Sequence, residues 1–417
     1  MTRPVNQMPP VHPGEILRED YLLPLGMSAN ALANALGVPA TRIHEIIKER
    51  RAVTADTAQR LARYFGGDAA SWLTLQAIYD LKTLATYDEI IETVSPRTVS
   101  PRCRAKSMTY ASNATSTSLT VDVLCAGFAC HDLVFDVPHH PGPDEKVRGG
   151  ALLNCGGGLA SNAAVTAARL GCHTAFAGYI GNDVYGDFHM AELHADGVNT
   201  DWVIRGSEPT PLSAILVKPD GLRTIVSYRG NSEDACGGQY DLSLLRAKSI
   251  LIDGNQFTFA QELTTHARFH HIPTVIDADA LRPQTATLVT QVDYVVASER
   301  FAKEYGGGSA EAGLAQLATV ASNVVVTLGH SGLIWQRGAA RGRMGAFAVN
   351  AIDTTGAGDA FHGAFAAGLA LGMDWEELLR YASAVGALCC TKVGGRIGIP
   401  TAAEVAAFLA KHNESLR

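Results

Sequence analysis

At 417 residues, with 47% hydrophobic and 18% charged side chains, the chain has the length of two domains or more and apolar material for a large core. Its net charge of −7 offers nucleic acid no global attraction, but the charge is uneven: residues 1–108 hold 13 basic and 11 acidic side chains, the remainder 21 and 30. The eight cysteines form no CxxC pair, the N-terminus has no signal core, and the longest apolar run is broken by Asp353, Asp359 and His362, so a cytoplasmic protein without disulfides, zinc or membrane spans is expected.

In chain order, Pro13 to Tyr21 reads as a first helix with Ile16, Leu17 and Tyr21 on its apolar face. Ser28 is an N-cap for Ala29 to Leu36. Gly37-Val38-Pro39 breaks the chain, and a second helix runs from Ala40 to about Glu49. Helix, short glycine turn, helix is the helix-turn-helix pattern, whose second helix enters the major groove. Thr41, Arg42, His44 and Glu45 would face base edges there, and Lys48, Arg50 and Arg51 the phosphates. A plain helical bundle with a solvated basic face fits the pattern equally well. Helices over Ala55 to Phe65 and Ala69 to Leu84 complete the unit, read as residues 1–94. The stretch from Gly26 to Leu81 resembles the HigA/XRE-type antitoxin family nearly end to end. That resemblance implies a homodimer that binds operator DNA and a HigB-like ribonuclease toxin.

Residues 95–118 are polar, Ser/Thr-rich and without apolar period, hence a linker. Met108 lies inside it, which suggests two once-separate proteins joined at an older start.

From 119 to 417 the pattern changes. Strands are expected at Val121 to Gly127, His173 to Tyr179, Ser249 to Asp253, Thr274 to Asp277, Tyr294 to Ala297 and Val324 to Leu328. Helices are expected between them and, beyond the last, at Trp375 to Cys390 and Ala402 to His412. This alternation predicts an α/β fold, a mostly parallel sheet with helices on both faces and ligands beyond the carboxyl ends of the strands. Leu133 to Val137, Leu212 to Val217 and Arg223 to Tyr228 break the alternation and read as antiparallel strands of a small β lid, with a hairpin turn at Pro219-Asp220-Gly221. A lid excludes water from a reacting site.

Two glycine clusters carry the chemistry. Gly156-Gly157-Gly158 opens a helix, so its amides and bare backbone can face a ligand. Read alone it is a flexible loop before a capped helix. The second cluster, Gly356-Ala357-Gly358-Asp359, is read as following a short apolar strand ending (Phe347, Val349, Ile352) and opening a helix from Ala360 to Leu371. Free N–H groups at that helix start suit developing negative charge, and Asp359 is placed to take a proton from a substrate hydroxyl. Taken alone, an N-capping Asp in an ordinary turn is equally consistent.

Four ordered stretches then resemble the PfkB/ribokinase family of carbohydrate kinases over about residues 120–412. They are Gly156 to Gly171, Gly178 to Gly186, Thr327 to Gly332, and Asp353 to Asp359. The resemblance implies ATP-dependent phosphorylation of a sugar. Asp359 would be the base and the amides of Gly356, Ala357 and Gly358 the anion hole. Asp132, Gly157, Gly158 and Asn162 would contact sugar hydroxyls. Thr327, Gly329 and Gly332 would hold the nucleotide, with Ala387 and Cys390 near the adenine. Asp353 and Thr355 match positions that hold a monovalent cation such as K+, and Mg2+ accompanies ATP.

One motif departs from the family. Where Asn-x-x-Glu orders magnesium, this chain has Ser298-Glu299-Arg300-Phe301, with Glu299 as the substitute. The ending Thr391 to Pro400, with Phe361-His362-Gly363, looks most like the sulfofructose kinase branch, and Lys146 falls near that branch's anion-binding lysine. Ser227 and Gln256 stand where Asn and Arg would be expected. An anionic sugar with Lys146, Arg148 or Arg229 as counter-charge is one reading, and solvated lid residues the other. His139 and His140 read as an exposed polar turn rather than metal ligands. Two further functions stay open: a regulator that uses a kinase fold as a sugar sensor, and a nucleoside kinase.

Overall fold

The computed structural model describes residues 11–66, 69–83, 118–219, 222–230, 232 and 234–414. The chain divides into two compact units, Met1–Met108 and Thr109–Arg417. The linker through residue 117, Met108 within it, and the 220–221 turn lie outside the described residues.

In the first unit, α1 (Pro13–Ile16) runs on into a π-helical stretch, Leu17–Leu22. Helices α2 (Ala29–Leu36), α3 (Ala40–Ile47), α4 (Ala55–Phe65) and α5 (Ala69–Thr83) follow. The Ser28 hydroxyl accepts the Ala31 amide at 3.1 Å, and Gly37 at φ 64° ends α2 in the left-handed region, so the turn before α3 is set locally. Leu17, Leu32, Ile43, Ile46 and Leu61 are fully buried against Trp72. Each such side chain contributes about 1.5–3 kcal/mol on burial, so Leu61→Ala should loosen this small core by about 2–5 kcal/mol.

The second unit holds a nine-stranded sheet in the order β13-β12-β11-β10-β9-β8-β1-β4-β5. Its strands are β1 (Leu119–Gly127), β4 (Thr174–Gly181), β5 (Val203–Gly206), β8 (Leu245–Ile252), β9 (Thr274–Ala278), β10 (Tyr294–Ser298), β11 (Asn323–Thr327), β12 (Leu333–Arg337) and β13 (Ala340–Met344). All neighbours from β11 to β5 pair parallel; β12 and β13 form an antiparallel edge hairpin. Val123 and Cys125 pack into one core layer, Leu124 and Ala126 into the other. That alternation along β1 is what a sheet covered on both faces requires. Helices α6 (Leu159–Arg169), α12 (Ala357–Ala370), α13 (Trp375–Cys389) and α14 (Ala402–Glu414) contribute to the first layer. Helices α8 (Phe257–His270), α9 (Pro283–Leu288), α10 (Glu299–Tyr305) and α11 (Ala310–Leu317) contribute to the second. Helix α7 (Val184–Ala195) contacts both sheets.

The lid is a separate four-stranded sheet, β3-β2-β6-β7. It comprises β2 (Cys130–Asp136), β3 (Leu152–Gly157), β6 (Leu212–Val217) and β7 (Arg223–Tyr228). Two expectations need correction. β2 and β6 pair parallel, because β3 takes the antiparallel edge of β2 and β6 reaches the other edge only after a β-α-β excursion. No strand leads into Gly356: residues 345–350 have no regular structure. Phe347 and Val349 are apolar because they line a cavity, and Ile352 is exposed.

Candidate active site

Helix α12 is preceded by its N-cap Gly356, whose φ of 72° and contact with Gly395 (a Cβ would stand 2.8 Å from the Gly395 Cα) leave room only for glycine. No side chain caps this helix start. The amides of Ala357 and Gly358 border a cavity of about 510 Å³. Its walls are the apolar Leu333, Phe347, Val349 and Phe361, with the backbones of Gly329 and Gly332. All five expected nucleotide residues, Thr327, Gly329, Gly332, Ala387 and Cys390, line it too. An apolar cavity ending on a helix start without a side-chain cap fits a nucleoside with a phosphate chain.

Asp359 is the third residue of the helix. Its Oδ2 accepts the Asn162 amide at 2.8 Å, joining the starts of α12 and α6. Burial pushes the Asp359 carboxyl up to about 7; the Asn162 bond pulls it down, while Asp279, Asp132 and Asp253 add to the rise. Asp277, at the end of β9, is raised well above the carboxylate range by burial, then by Asp359 and Asp279. His362 spans from the Gly358 carbonyl (2.6 Å) to the Val296 carbonyl (3.1 Å), pinning the first turn of α12 to the middle of β10.

Asp132 accepts the Cys130 thiol at 3.1 Å, and burial raises its carboxyl to about 6 against the pull of that bond and of Arg396. Gly156 and Gly157 lie at the end of β3, not in a loop. A Cβ at Gly156 would stand 2.0 Å from Arg396 Nη1, and at Gly157 2.0 Å from Asp132 Oδ2, so both glycines also make room for charged side chains. Gly158 begins α6 as its N-cap.

The expected cation and anion positions differ in outcome. Asp353 is buried and accepts the Thr355 and Gly394 amides, each at 2.8 Å. Each oxygen keeps a lone pair, so a monovalent cation beside Asp353 and Thr355 is compatible in kind. Glu299 instead faces Lys303 at 2.6 Å and is 46% exposed. Ser298 is used as the cap of α10, accepting the Phe301 amide, and Phe301 fills the core. This stretch does not fit a magnesium-ordering role, and among the described residues no group of three or more His, Cys, Asp or Glu is gathered for a metal. Lys146 and Arg148 are exposed on the loop between β2 and β3. His139 bonds Glu145 at 2.6 Å and His140 bonds the Leu216 carbonyl and Thr224, within the lid. Gln256 is buried on the Cys236 amide and the Ser232 carbonyl, and Ser227 bonds Ser213, so neither stands free for a ligand.

Sequence reasoning missed a second cavity, about 280 Å³, lined by Leu159, Arg229, Asp253, Asp277, Asp279 and Arg282 among others. Arg229 and Arg282 converge on Asn255 Oδ1 at 2.6 and 2.8 Å, and Arg229 lies 4.4 Å over the Phe128 ring. Asp253 is held by the amides of Phe128, Ala160 and Asn255, and Asp279 is paired with Arg300 at 2.9 Å. Carboxylates followed by an arginine after a strand, Asp277, Asp279 and Arg282, were the available signal.

In the first unit, Arg42 is paired with Asp56 at 2.5 Å and His44 with Asn30 at 3.1 Å, so two expected base readers are engaged within the protein. Thr41, Lys48, Arg50 and Arg51 are exposed; Glu45 is half-buried.

The sequence profile of the pfkB family carbohydrate kinases matches residues 121–402, and a helix-turn-helix profile matches residues 18–72. Residues of the first unit are 56% identical over 97 positions to virulence-associated protein I of Dichelobacter nodosus, covering 23% of this chain and 90% of that protein. The large unit is 29% identical over 294 positions to ribokinase of Bacillus subtilis, covering 69% of this chain and 99% of that one. A fructokinase from Xylella fastidiosa solved with bound ATP superposes with a TM-score of 0.59 at 25% identity, over 70% of this chain and 99% of the other.

Proposed function

The chain belongs to the pfkB family of carbohydrate kinases through residues 121–402, joined to a helix-turn-helix unit, and we propose that Asp359 is the base of its phosphoryl transfer from ATP. The observation that supports this most is the Asp359 carboxyl, raised to about 7 and set beside uncapped amides that border the nucleotide-sized cavity. A base near neutrality is ionised often enough to act and basic enough to take an alcohol proton.

The sugar lies between Asp132, Gly157, Gly158 and Asn162, under the lid. Thr327, Gly329, Gly332, Ala387 and Cys390 border the nucleotide. Asp359 takes the hydroxyl proton as the oxygen attacks, and the amides of Gly356, Ala357 and Gly358 hold the charge on the phosphoryl oxygens. Mg2+, when bound with ATP, neutralises phosphate charge; K+ beside Asp353 and Thr355 would act on the turn.

The acceptor we infer is a ketose or sugar acid. Arg229, together with Arg282, favours an anionic substituent over a neutral one, since two guanidiniums share one amide oxygen while Asp253 and Asp279 are engaged elsewhere and burial raises the Asp277 carboxyl. Incubating labelled ATP with neutral sugars, their acids and nucleosides tests this. Transfer to a ketose or sugar acid is expected. Transfer confined to nucleosides, or sugar binding without any transfer, contradicts it. Arg282→Met should raise KM for an acidic acceptor about tenfold or more, as one charged hydrogen bond is worth about 1.5–3 kcal/mol.

The first unit, we propose, binds operator DNA as a homodimer and neutralises a HigB-like toxin; its helix-turn-helix match supports the DNA part. Because one relative matches 23% of this chain with 90% of its own length and another matches 69% with 99%, we infer a fusion. A second product starting at Met108 in intact-mass spectra would extend that reading.

A further inference from the structure

Arg396 is a guanidinium only 3% exposed, beneath the proposed sugar site. Its Nε and Nη2 both donate to Asn162 Oδ1 at 3.2 Å. Nη2 also donates to Ser161 Oγ at 3.1 Å and to His189 Nε2 at 3.2 Å, and Nη1 to Glu192 Oε2 at 3.3 Å. Glu192 in turn accepts the Gly156 amide at 2.5 Å. The Arg396 carbonyl accepts from Arg169 at 2.8 Å, and Arg169 is forked onto Asp196. Four side chains and the missing Cβ of Gly156 therefore fix where this guanidinium lies.

An asparagine amide has one accepting and one donating end, and an arginine only donates. With Arg396 facing it, Asn162 must present Oδ1 to the guanidinium and Nδ2 to Asp359. Flipped, it would set N–H groups against N–H groups and its oxygen against a carboxylate. We propose that Arg396 is a positioning residue which fixes the orientation of Asn162 and, through it, the aim and basicity of Asp359. This rests on Asp359 being the base.

Other charged or titratable groups surround the pair. Asp132 on β2, Asp253 after β8, Asp277 on β9, Asp279 just after it and Cys389 on α13 face Asp359, and His362 on α12 faces Asp277. His189 and Glu192 on α7, Asp132, Asp196 and Cys155 surround Arg396. Asn162 touches Asp359 and is held in a single orientation by the donor behind it. Its N–H bond favours the ionised carboxylate, so losing that bond raises the pH at which Asp359 ionises.

The test is the pH profile of kcat in Arg396→Met and Arg396→Lys. In Arg396→Met the midpoint of the rising limb should move up by about one unit and kcat at pH 7 fall about fivefold or more, with KM for ATP held within about twofold. Arg396→Lys keeps the charge, loses the fork and should fall between. A lower melting temperature with an unmoved midpoint would mean a structural role alone and overturns the proposal. If Arg396→Met does not fold, an unmoved midpoint in Arg396→Lys overturns it equally. If no acceptor is turned over, the kinase reading fails separately. The Asp359 13C carboxyl titration, assigned against Asp359→Asn, still reads the midpoint, and identical titrations of wild type and Arg396→Lys overturn the proposal.

Discussion

Two acids, one in each unit, show how differently the two regions use charge. Asp56 lies on the surface of the helix-turn-helix unit, where the Arg60 and Arg42 bonds hold its carboxyl below the usual range. Asp359 lies in the kinase unit, where burial pushes its carboxyl up to about 7. The first arrangement orders side chains on a wet face and is screened by salt. The second suits the proposed base, because burial disfavours the charge that proton transfer would then remove. A surface for binding and a pocket for chemistry should therefore respond to different perturbations.

The largest expected effect is in the pocket. Asp359→Asn should lower kcat about 10²–10⁴-fold, the range of general base catalysis, and leave ATP binding by calorimetry intact. Retention of the wild-type rate would remove Asp359 from the mechanism. On the surface, replacing Lys48, Arg50 and Arg51 together by alanine should weaken operator binding and reduce the slope of log affinity against log salt by about one for each lost phosphate contact. The same triple variant should leave sugar phosphorylation within about twofold, as expected of independent sites. A matching fall in kcat would show that the two regions are not separable.

The same contrast explains what was legible in the sequence. Helices α2 and α4 sit at their expected bounds because Ser28, Gly37 and the apolar period act locally. Parallel strands were found from short β-branched runs such as Tyr294–Ser298. The β12–β13 edge hairpin was missed: Arg337, Arg341 and Arg343 break its apolar alternation. Phe347 and Val349 were misread as a strand because cavity walls and strand cores use the same residue types. In the site, Asp359 and the Gly356 turn were readable, since a positive φ and a helix start leave a local trace. Arg396 was not, although its motif was visible. Its meaning lies in contacts with Ser161, Asn162, His189 and Glu192, which only the tertiary fold assembles. The Ser298–Phe301 departure was visible, but not that Ser298 caps a helix while Glu299 is held by Lys303.

The smallest expected effect is on stability, and its sign follows from the raised carboxyl. Native Asp359 binds its proton up to about pH 7, whereas in the unfolded chain it is released near 4. Stability therefore falls as pH rises through that window, and the ionised form is the strained one. Asp359→Asn should melt several degrees above wild type at pH 8, and near wild type at pH 4. An equal difference at both values would mean that burial does not carry the shift.

The most direct test of Asp359 as a buried base is the pH dependence of kcat/KM for the best acceptor between pH 5 and 9. The base must be ionised, so the rate should rise about tenfold per unit below the midpoint and level off above about pH 7, with Asp132, raised to about 6, steepening the acid side. A profile flat from pH 5 upward would place the working carboxyl at an ordinary pKa and contradict the account.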